Sequence, residues 1–125
     1  QYALRHTITQ SSRHASVAGG VRPPDGVVTV VLHTLCALPS SAAFRDCIKV
    51  ARAGDAIVLL GDGVYAALEG TPACRELQAT RVELFMLRAD ALLAGVSQSA
   101  PNIVSIDMEG LVELTERIPR QLAWY

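Results

Sequence analysis

The sequence predicts an α/β fold, a three-layer α/β/α sandwich around a mostly parallel sheet of four or five strands. Short apolar runs rich in β-branched residues alternate along the chain with segments of helical pattern, which is the arrangement of βαβ units. Half of the 125 residues are hydrophobic but only 5% are aromatic, a balance that suits close packing of helices on a sheet. Capping residues, glycines and prolines stand between the segments, where helices begin and end.

The predicted strands are short apolar runs, typical of strands that are buried on both faces of a parallel sheet. In chain order they are Val27–Leu35, Asp55–Leu60, Val82–Leu87 and Ile103–Ile106. Leu122–Tyr125 is expected to add a short strand at the edge of the sheet.

Each predicted helix is recognised by the residues that begin or end it. In chain order the helical segments are Ala42–Ala53, the turns Val64–Leu68, Pro72–Gln78, Asp90–Ala94 and Glu109–Arg117. The pair Ser40-Ser41, Thr71 and Asp107 precede the first, third and fifth of these segments, and Gly54 and Gly95 follow the first and fourth. In the last of these, acidic residues near the start and an arginine near the end suit the helix dipole.

The N-terminal part of the chain has a different composition from the rest. Residues 1–26 are rich in Ser, Gly, Pro, Arg and His and show neither strand nor helix periodicity. We expect residues 1–30 to be a disordered extension or a non-native upstream segment, and residues 31–125 to form the domain. The first 31 residues hold three arginines and one aspartate, so the remainder carries three more acidic than basic residues.

The composition disfavours several functional classes. A formal net charge of −1 gives no general attraction to phosphate backbones, which argues against direct nucleic-acid binding. The longest apolar runs are far shorter than the roughly 18–20 residues of a membrane helix, and no secretory signal is recognisable. The three cysteines are an odd number without zinc spacing, and a chain of this size needs no disulfide, so we expect no metal site and a reducing cytoplasm. We also expect no cofactor.

The segment Gly61-Asp62-Gly63 follows a predicted buried strand. Open α/β sheets place their binding crevice at that end of their strands, and amides at the start of the next helix could hold an anion. The segment matches neither the dinucleotide fingerprint nor a P-loop, because Ala66 stands where a third glycine would be and no Lys-Ser/Thr pair follows. A tight turn that needs glycine conformations is the alternative.

The three cysteines are the other candidates, because a thiolate with solvent access is a nucleophile. On the predicted first helix, the residues three and four positions from Cys47 form an apolar face, which favours a packing role. Cys36 lies in a loop after a strand, where access is common, and strand alternation places His33 on the opposite face, so no Cys/His dyad is predicted. Cys74 lies in the first turn of a short helix, where a buried neutral thiol is the commoner state.

Four motifs in one order resemble the DsrH/TusB family over about residues 31–125. They are LHTL at residues 32–35, AIVLLGDGVYAA at residues 56–67, IDMEGLVELT at residues 106–115 and QLAW at residues 121–124. Members of this family typically begin with Met directly before Leu-His-Thr, and Val31 stands at that position here.

The resemblance implies a subunit that assembles with two homologous partners, DsrE/TusD-like and DsrF/TusC-like, into a heterohexamer with two copies of each. Such complexes relay sulfur as a cysteine persulfide, together with TusA-like and TusE/DsrC-like carriers. The sulfur serves thiolation of the tRNA wobble uridine in one branch and oxidation of stored sulfur in the other. The principal acceptor cysteine belongs to the DsrE/TusD-like partner.

The resemblance also adds a second interpretation of Cys47. The stretch Phe44–Ala51 is similar to DsrH-type members, which have a cysteine in the first helix, whereas many TusB-type members lack it. This implies Cys47 as a secondary persulfide acceptor. Two alternatives stay open: a non-catalytic structural subunit that only completes the hexamer, and an anion-binding module that uses Gly61–Gly63.

Overall fold

Five strands form one parallel sheet in the computed structural model, which describes residues 30–125. The strands are β1 (Leu32–Leu35), β2 (Ala56–Leu59), β3 (Glu83–Leu87), β4 (Ile103–Ile106) and β5 (Gln121–Trp124). Their spatial order is β4-β3-β2-β1-β5, and every neighbouring pair is parallel. This confirms the predicted α/β fold, including the edge strand near the end of the chain.

Four α-helices and one 3₁₀ helix connect the strands. They are α1 (Ala42–Val50), the 3₁₀ helix (Gly61–Ala67), α2 (Pro72–Ala79), α3 (Arg88–Ala94) and α4 (Met108–Arg117). The expected caps are present: the side chains of Ser41, Thr71 and Asp107 each accept a hydrogen bond from the amide three residues later. Gly95 ends α3 with a φ of 76°, a conformation that favours glycine.

Helix α1 ends three residues earlier than predicted. The amide of Arg52 donates to Asp55 Oδ2 over 3.0 Å, and the amide of Asp55 donates to the carbonyl oxygen of Arg52 over 2.9 Å. These two bonds close a turn that competes with another helical turn, so the chain leaves the helix after Val50. The helical pattern over residues 51–53 could not reveal this competition.

The strand order explains which face of the sheet each helix covers. The steps from β1 to β4 all move across the sheet in one direction, whereas the step from β4 to β5 runs back past three strands. Since crossovers between parallel strands are right-handed, the reversed step places its helix on the opposite face. The core follows this division: α1, the 3₁₀ helix, α2 and α3 pack on the first face, and α4 packs on the second.

The apolar side chains of the sheet alternate between these two faces. On the first face lie Leu35, Ile57, Leu59, Leu84, Met86 and Trp124, and on the second lie Leu32, Ala56, Val58 and Leu87. Between residues 30 and 125, no helix is long and apolar enough to cross a membrane. The expectation for residues 1–30 concerns positions that, apart from Val30, lie outside the described part of the chain.

Candidate functional site

The Gly61-Asp62-Gly63 segment lies at the end of β2 and begins the 3₁₀ helix. A Cβ on Gly63 would overlap the carbonyl oxygen of Leu35 at the end of β1, so only glycine fits this contact. The amide of Gly61 donates to Asp90 Oδ2 over 2.7 Å, so a carboxylate of the chain itself occupies the position where an anion would bind. The geometry therefore favours the tight-turn interpretation over an anion site.

Helix α1 places Cys47 on its buried side. Residues Phe44 and Cys47 are the buried members of this helix, and Cys47 is 0% exposed within the core of the first face. Burial raises the pKa of the Cys47 thiol far above its ordinary value, and the negative charge of Asp55 raises it further. A thiol in this environment stays protonated at neutral pH and does not meet solvent.

The other two cysteines lie in different environments. Cys36 follows β1, is partly exposed and packs against the core of the second face, whereas His33 is hydrogen-bonded to Trp124 on the first face. Cys74 is buried on the first face, where its Sγ lies 3.9 Å from the carbonyl oxygen of Ala67. Burial raises the pKa of Cys74. Of the three thiols, Cys36 is therefore the one with solvent access, and none of the three forms a disulfide.

A chain of buried polar side chains links β1, β2 and β5. The indole Nε1 of Trp124 lies 3.1 Å from His33 Nδ1, and His33 Nε2 lies 2.9 Å from Asp55 Oδ2. Because an indole N–H can only donate, Nδ1 of His33 must accept, and the ring proton lies on Nε2, where it is donated to Asp55. All three side chains are almost completely buried.

Asp55 connects this network to the backbone of two further segments. Its Oδ1 accepts from the amide of Val31 over 3.1 Å, and its Oδ2 accepts from the amide of Arg52 over 3.0 Å as well as from His33. A buried carboxylate with three donors is well satisfied. Its charge also acts on Cys47 and disfavours the thiolate there.

Sequence reasoning considered His33 as a partner of Cys36 and as part of a family motif, and Trp124 only as part of a motif, and it did not predict that their side chains are hydrogen-bonded. The signal that could have suggested it was a histidine inside an apolar strand, since a buried imidazole needs hydrogen-bond partners. The partners are 22 and 91 residues away along the chain. Local periodicity carries no information on contacts at such separations.

Two surface depressions lie beside the sheet. One of about 230 Å³ at the carboxyl edge of the sheet is lined by Gly61, Asp62, Tyr65, Asp90, Leu93 and Ala94. The other, of about 440 Å³, lies between α4 and the second face and is lined by Glu83, Phe85, Ile106, Gly110, Glu113, Leu114 and Arg117. Within residues 30–125, no group of three or more His, Cys, Asp or Glu side chains is placed to hold a metal ion.

Comparison with known proteins gives one consistent result. The family model described as "DsrH like protein" matches residues 39–121. Protein TusB of Pectobacterium parmentieri is 41% identical over 95 residues, which are 75% of this chain and 100% of that protein. Protein TusB of Sodalis glossinidius is 38% identical with the same coverage.

Among solved structures, the crystal structure of the ychN protein from E. coli is similar to this chain. The TM-score is 0.61 at 15% sequence identity, and the similarity covers 77% of this chain and 99% of that one. At this identity the likeness concerns the fold alone.

Proposed function

Because this chain belongs to the DsrH/TusB family, we propose that it is one subunit of a sulfur-relay complex. The observation that carries the proposal is the extent of the family match, since the TusB relatives align over their whole length. The proposed complex is a cytoplasmic heterohexamer with DsrE/TusD-like and DsrF/TusC-like subunits, two copies of each. Its principal acceptor cysteine lies on the DsrE/TusD-like subunit, and TusA-like and TusE/DsrC-like proteins carry sulfur to and from it.

Sulfur transfer in such a complex is an exchange between thiols. An acceptor thiolate attacks the outer sulfur of a donor persulfide, so that a new S–S bond forms, the donor's S–S bond breaks and the donor leaves as a thiolate. No electrons are gained or lost overall, and no cofactor is needed. An acceptor therefore requires a thiolate and an open path to the donor.

The geometry supports best a subunit that completes the complex without accepting sulfur itself. Cys47 is enclosed in the core of the first face, and both burial and the charge of Asp55 raise its pKa. Neither requirement for an acceptor is met while α1 stays in place. The chain then contributes the surfaces that hold its partners, and the partner subunit supplies the reactive thiol.

Persulfide acceptance at Cys47 is the second candidate role. It is favoured by the position of this cysteine in the first helix, where DsrH-type members have one. It requires α1 to move away from the sheet, because only then does the thiol meet solvent and a donor. The movement would also separate Cys47 from Asp55 and so favour its thiolate.

A labelling experiment separates the two roles. The complex, assembled with its own partner subunits, is incubated with a persulfide-loaded TusA-like carrier, and the intact mass of each subunit is measured. Cys47→Ala is compared with Cys36→Ala, which serves as the matched control. We expect assembly of all three forms with no sulfur on Cys47; one sulfur mass that is lost only in Cys47→Ala contradicts the structural role and establishes the second.

We propose thiolation of the tRNA wobble uridine as the destination of the sulfur. The curated relatives at about 40% identity bear the name TusB, which favours this branch, whereas the cysteine at position 47 is the DsrH-type feature that favours oxidation of stored sulfur. The test is complementation of a bacterium that lacks its own TusB, TusC and TusD, using this chain with its partner subunits. Restored 2-thiouridine in tRNA is expected, and an assembled complex without thiouridine contradicts this branch.

A further inference from the structure

Two adjacent leucines of α3 point into solvent. Leu93 is 88% exposed and Leu92 is 71% exposed, whereas Ala91 is the buried residue of this helix. In the described part of the chain, no other large apolar side chain is as exposed as these two. Because neither leucine packs into the core, the fold does not account for their apolar character, and contiguous exposed apolar groups mark interaction sites.

Leu93 lines the depression at the carboxyl edge of the sheet, and Leu92 precedes it in α3. Leu93 forms part of its wall together with Tyr65 of the 3₁₀ helix, and Asp62 and Asp90 contribute carboxylates. The hydrogen bond from the amide of Gly61 holds the Asp90 carboxylate in place. We name Asp62, Tyr65, Asp90, Leu92 and Leu93 together the leucine surface.

The size and charge of the leucine surface select the kind of molecule it can bind. Its depression of about 230 Å³ is smaller than the roughly 300–1,000 Å³ of small-molecule pockets, and both leucines are largely exposed to solvent. Among residues 30–125, no lysine, arginine or histidine lines it, so nucleic acid and anionic lipid surfaces are disfavoured. The class of binding partner that fits is therefore a protein surface with apolar and basic side chains.

We infer that the leucine surface docks a different protein chain, which presents an apolar side chain beside a lysine or arginine. A second copy of this chain is disfavoured, because the described residues of this surface include no lysine, arginine or histidine that could pair with Asp62 and Asp90 of the other copy. A basic partner instead pairs with both carboxylates while its apolar side chain covers Leu93 and Tyr65.

The experiment uses the partner subunits of the proposed complex as its probe, and in this respect the inference rests on the proposed function. The purified pair of partner subunits is titrated with this chain by calorimetry at low and high salt. In the variant Leu92→Gln/Leu93→Gln, glutamine keeps the helix propensity of leucine and removes the apolar contact. We expect the affinity to fall at least about tenfold, as at the apolar anchors of other interfaces.

Two further variants test the charge of the leucine surface and the dependence of binding on the position of the substitution. Asp62→Lys reverses one carboxylate, so we expect weaker binding and a smaller dependence on salt. Val112→Gln makes a similar apolar-to-polar change at an exposed position of α4, on the second face, and is expected to keep wild-type affinity. Circular dichroism of each variant verifies that it is folded.

Each outcome decides a separate question. Wild-type affinity of the double leucine variant, or an equal loss in Val112→Gln, overturns the docking proposal and leaves the proposed function standing. A wild-type chain that does not bind the partner subunits overturns the proposed function and with it this choice of occupant. Self-association of the wild-type chain that the double variant lacks identifies a second copy as the occupant and equally overturns the proposal.

Discussion

Replacing Asp55 with asparagine tests the buried network that joins β1, β2 and β5. The carboxylate accepts three hydrogen bonds, from the amides of Val31 and Arg52 and from Nε2 of His33. An asparagine side chain has one oxygen that accepts and one NH₂ group that can only donate. The amide oxygen is best placed at the Oδ2 position, where two donors converge, so the amide of Val31 then faces a second donor.

The expected cost follows from these contacts. Loss of one hydrogen bond to a charged group costs about 1.5–3 kcal/mol, and the two that remain weaken because their acceptor is neutral. Relief of the desolvation of a buried carboxylate offsets part of the cost. We expect Asp55→Asn to lower the free energy of unfolding by about 2–4 kcal/mol, a large share of the roughly 5–14 kcal/mol typical of a domain of this size.

Urea unfolding followed by the fluorescence of Trp124, the single tryptophan, measures the change. With a slope of about 1–2 kcal/mol per molar urea, the midpoint falls by about 1–4 M. Asp46→Asn removes the same charge from an exposed position on α1 and should change stability by less than about 0.5 kcal/mol. Equal shifts in the two variants would refute the assignment of net stability to this network.

Two further predictions concern Gly63 and Cys47. Gly63→Ala places a Cβ onto the carbonyl oxygen at the end of β1, so we expect the free energy of unfolding, measured by thermal unfolding, to fall by more than about 2 kcal/mol. Gly54→Ala, where a Cβ meets open space but φ is 95°, should lower it by roughly 1–2 kcal/mol. A loss in Gly63→Ala no larger than that in Gly54→Ala would contradict the close contact. The thiol of Cys47 keeps its proton in the folded state, whereas the unfolded chain releases it above the ordinary pKa of 9.0. This thiol therefore leaves the free energy of unfolding unchanged below that pH and lowers it as the pH rises further. The slope is at most about 1.4 kcal/mol per pH unit for this one thiol, and an unchanged slope in Cys47→Ala would show that the thiol is not buried in solution.

Most of the secondary structure was predictable because its signals are local. The strand Ile103–Ile106 and the helix cap at Asp107 agree with the sequence analysis, since an apolar run and a capping side chain act over a few residues. The end of α1 was predicted wrongly, because the turn that ends it depends on the side chain of Asp55. That residue is itself held by β1, which no helical pattern reveals.

The candidate site was predictable only in part. The apolar face around Cys47 was visible at helical spacing and agrees with the burial of this thiol. Its proximity to the Asp55 carboxylate was not visible, because residues of α1 and of the turn before β2 come together only after the sheet has formed. The exposure of Leu92 and Leu93 was likewise hidden, since an apolar pattern alone predicts a buried helix face.

The sequence by itself determined the α/β class, the place of nearly every helix and strand, and the family, because caps, glycines, periodicity and motifs act within a few positions of the chain. Only the tertiary structure decided which residues meet across long separations. The strand order brings Trp124 onto His33, and the reversed crossover places α4 on the second face, apart from the other helices of residues 30–125. Burial and contacts depend on this spatial order, and therefore only the folded structure showed that Asp55 lies near Cys47 and that Leu92 and Leu93 of α3 are exposed.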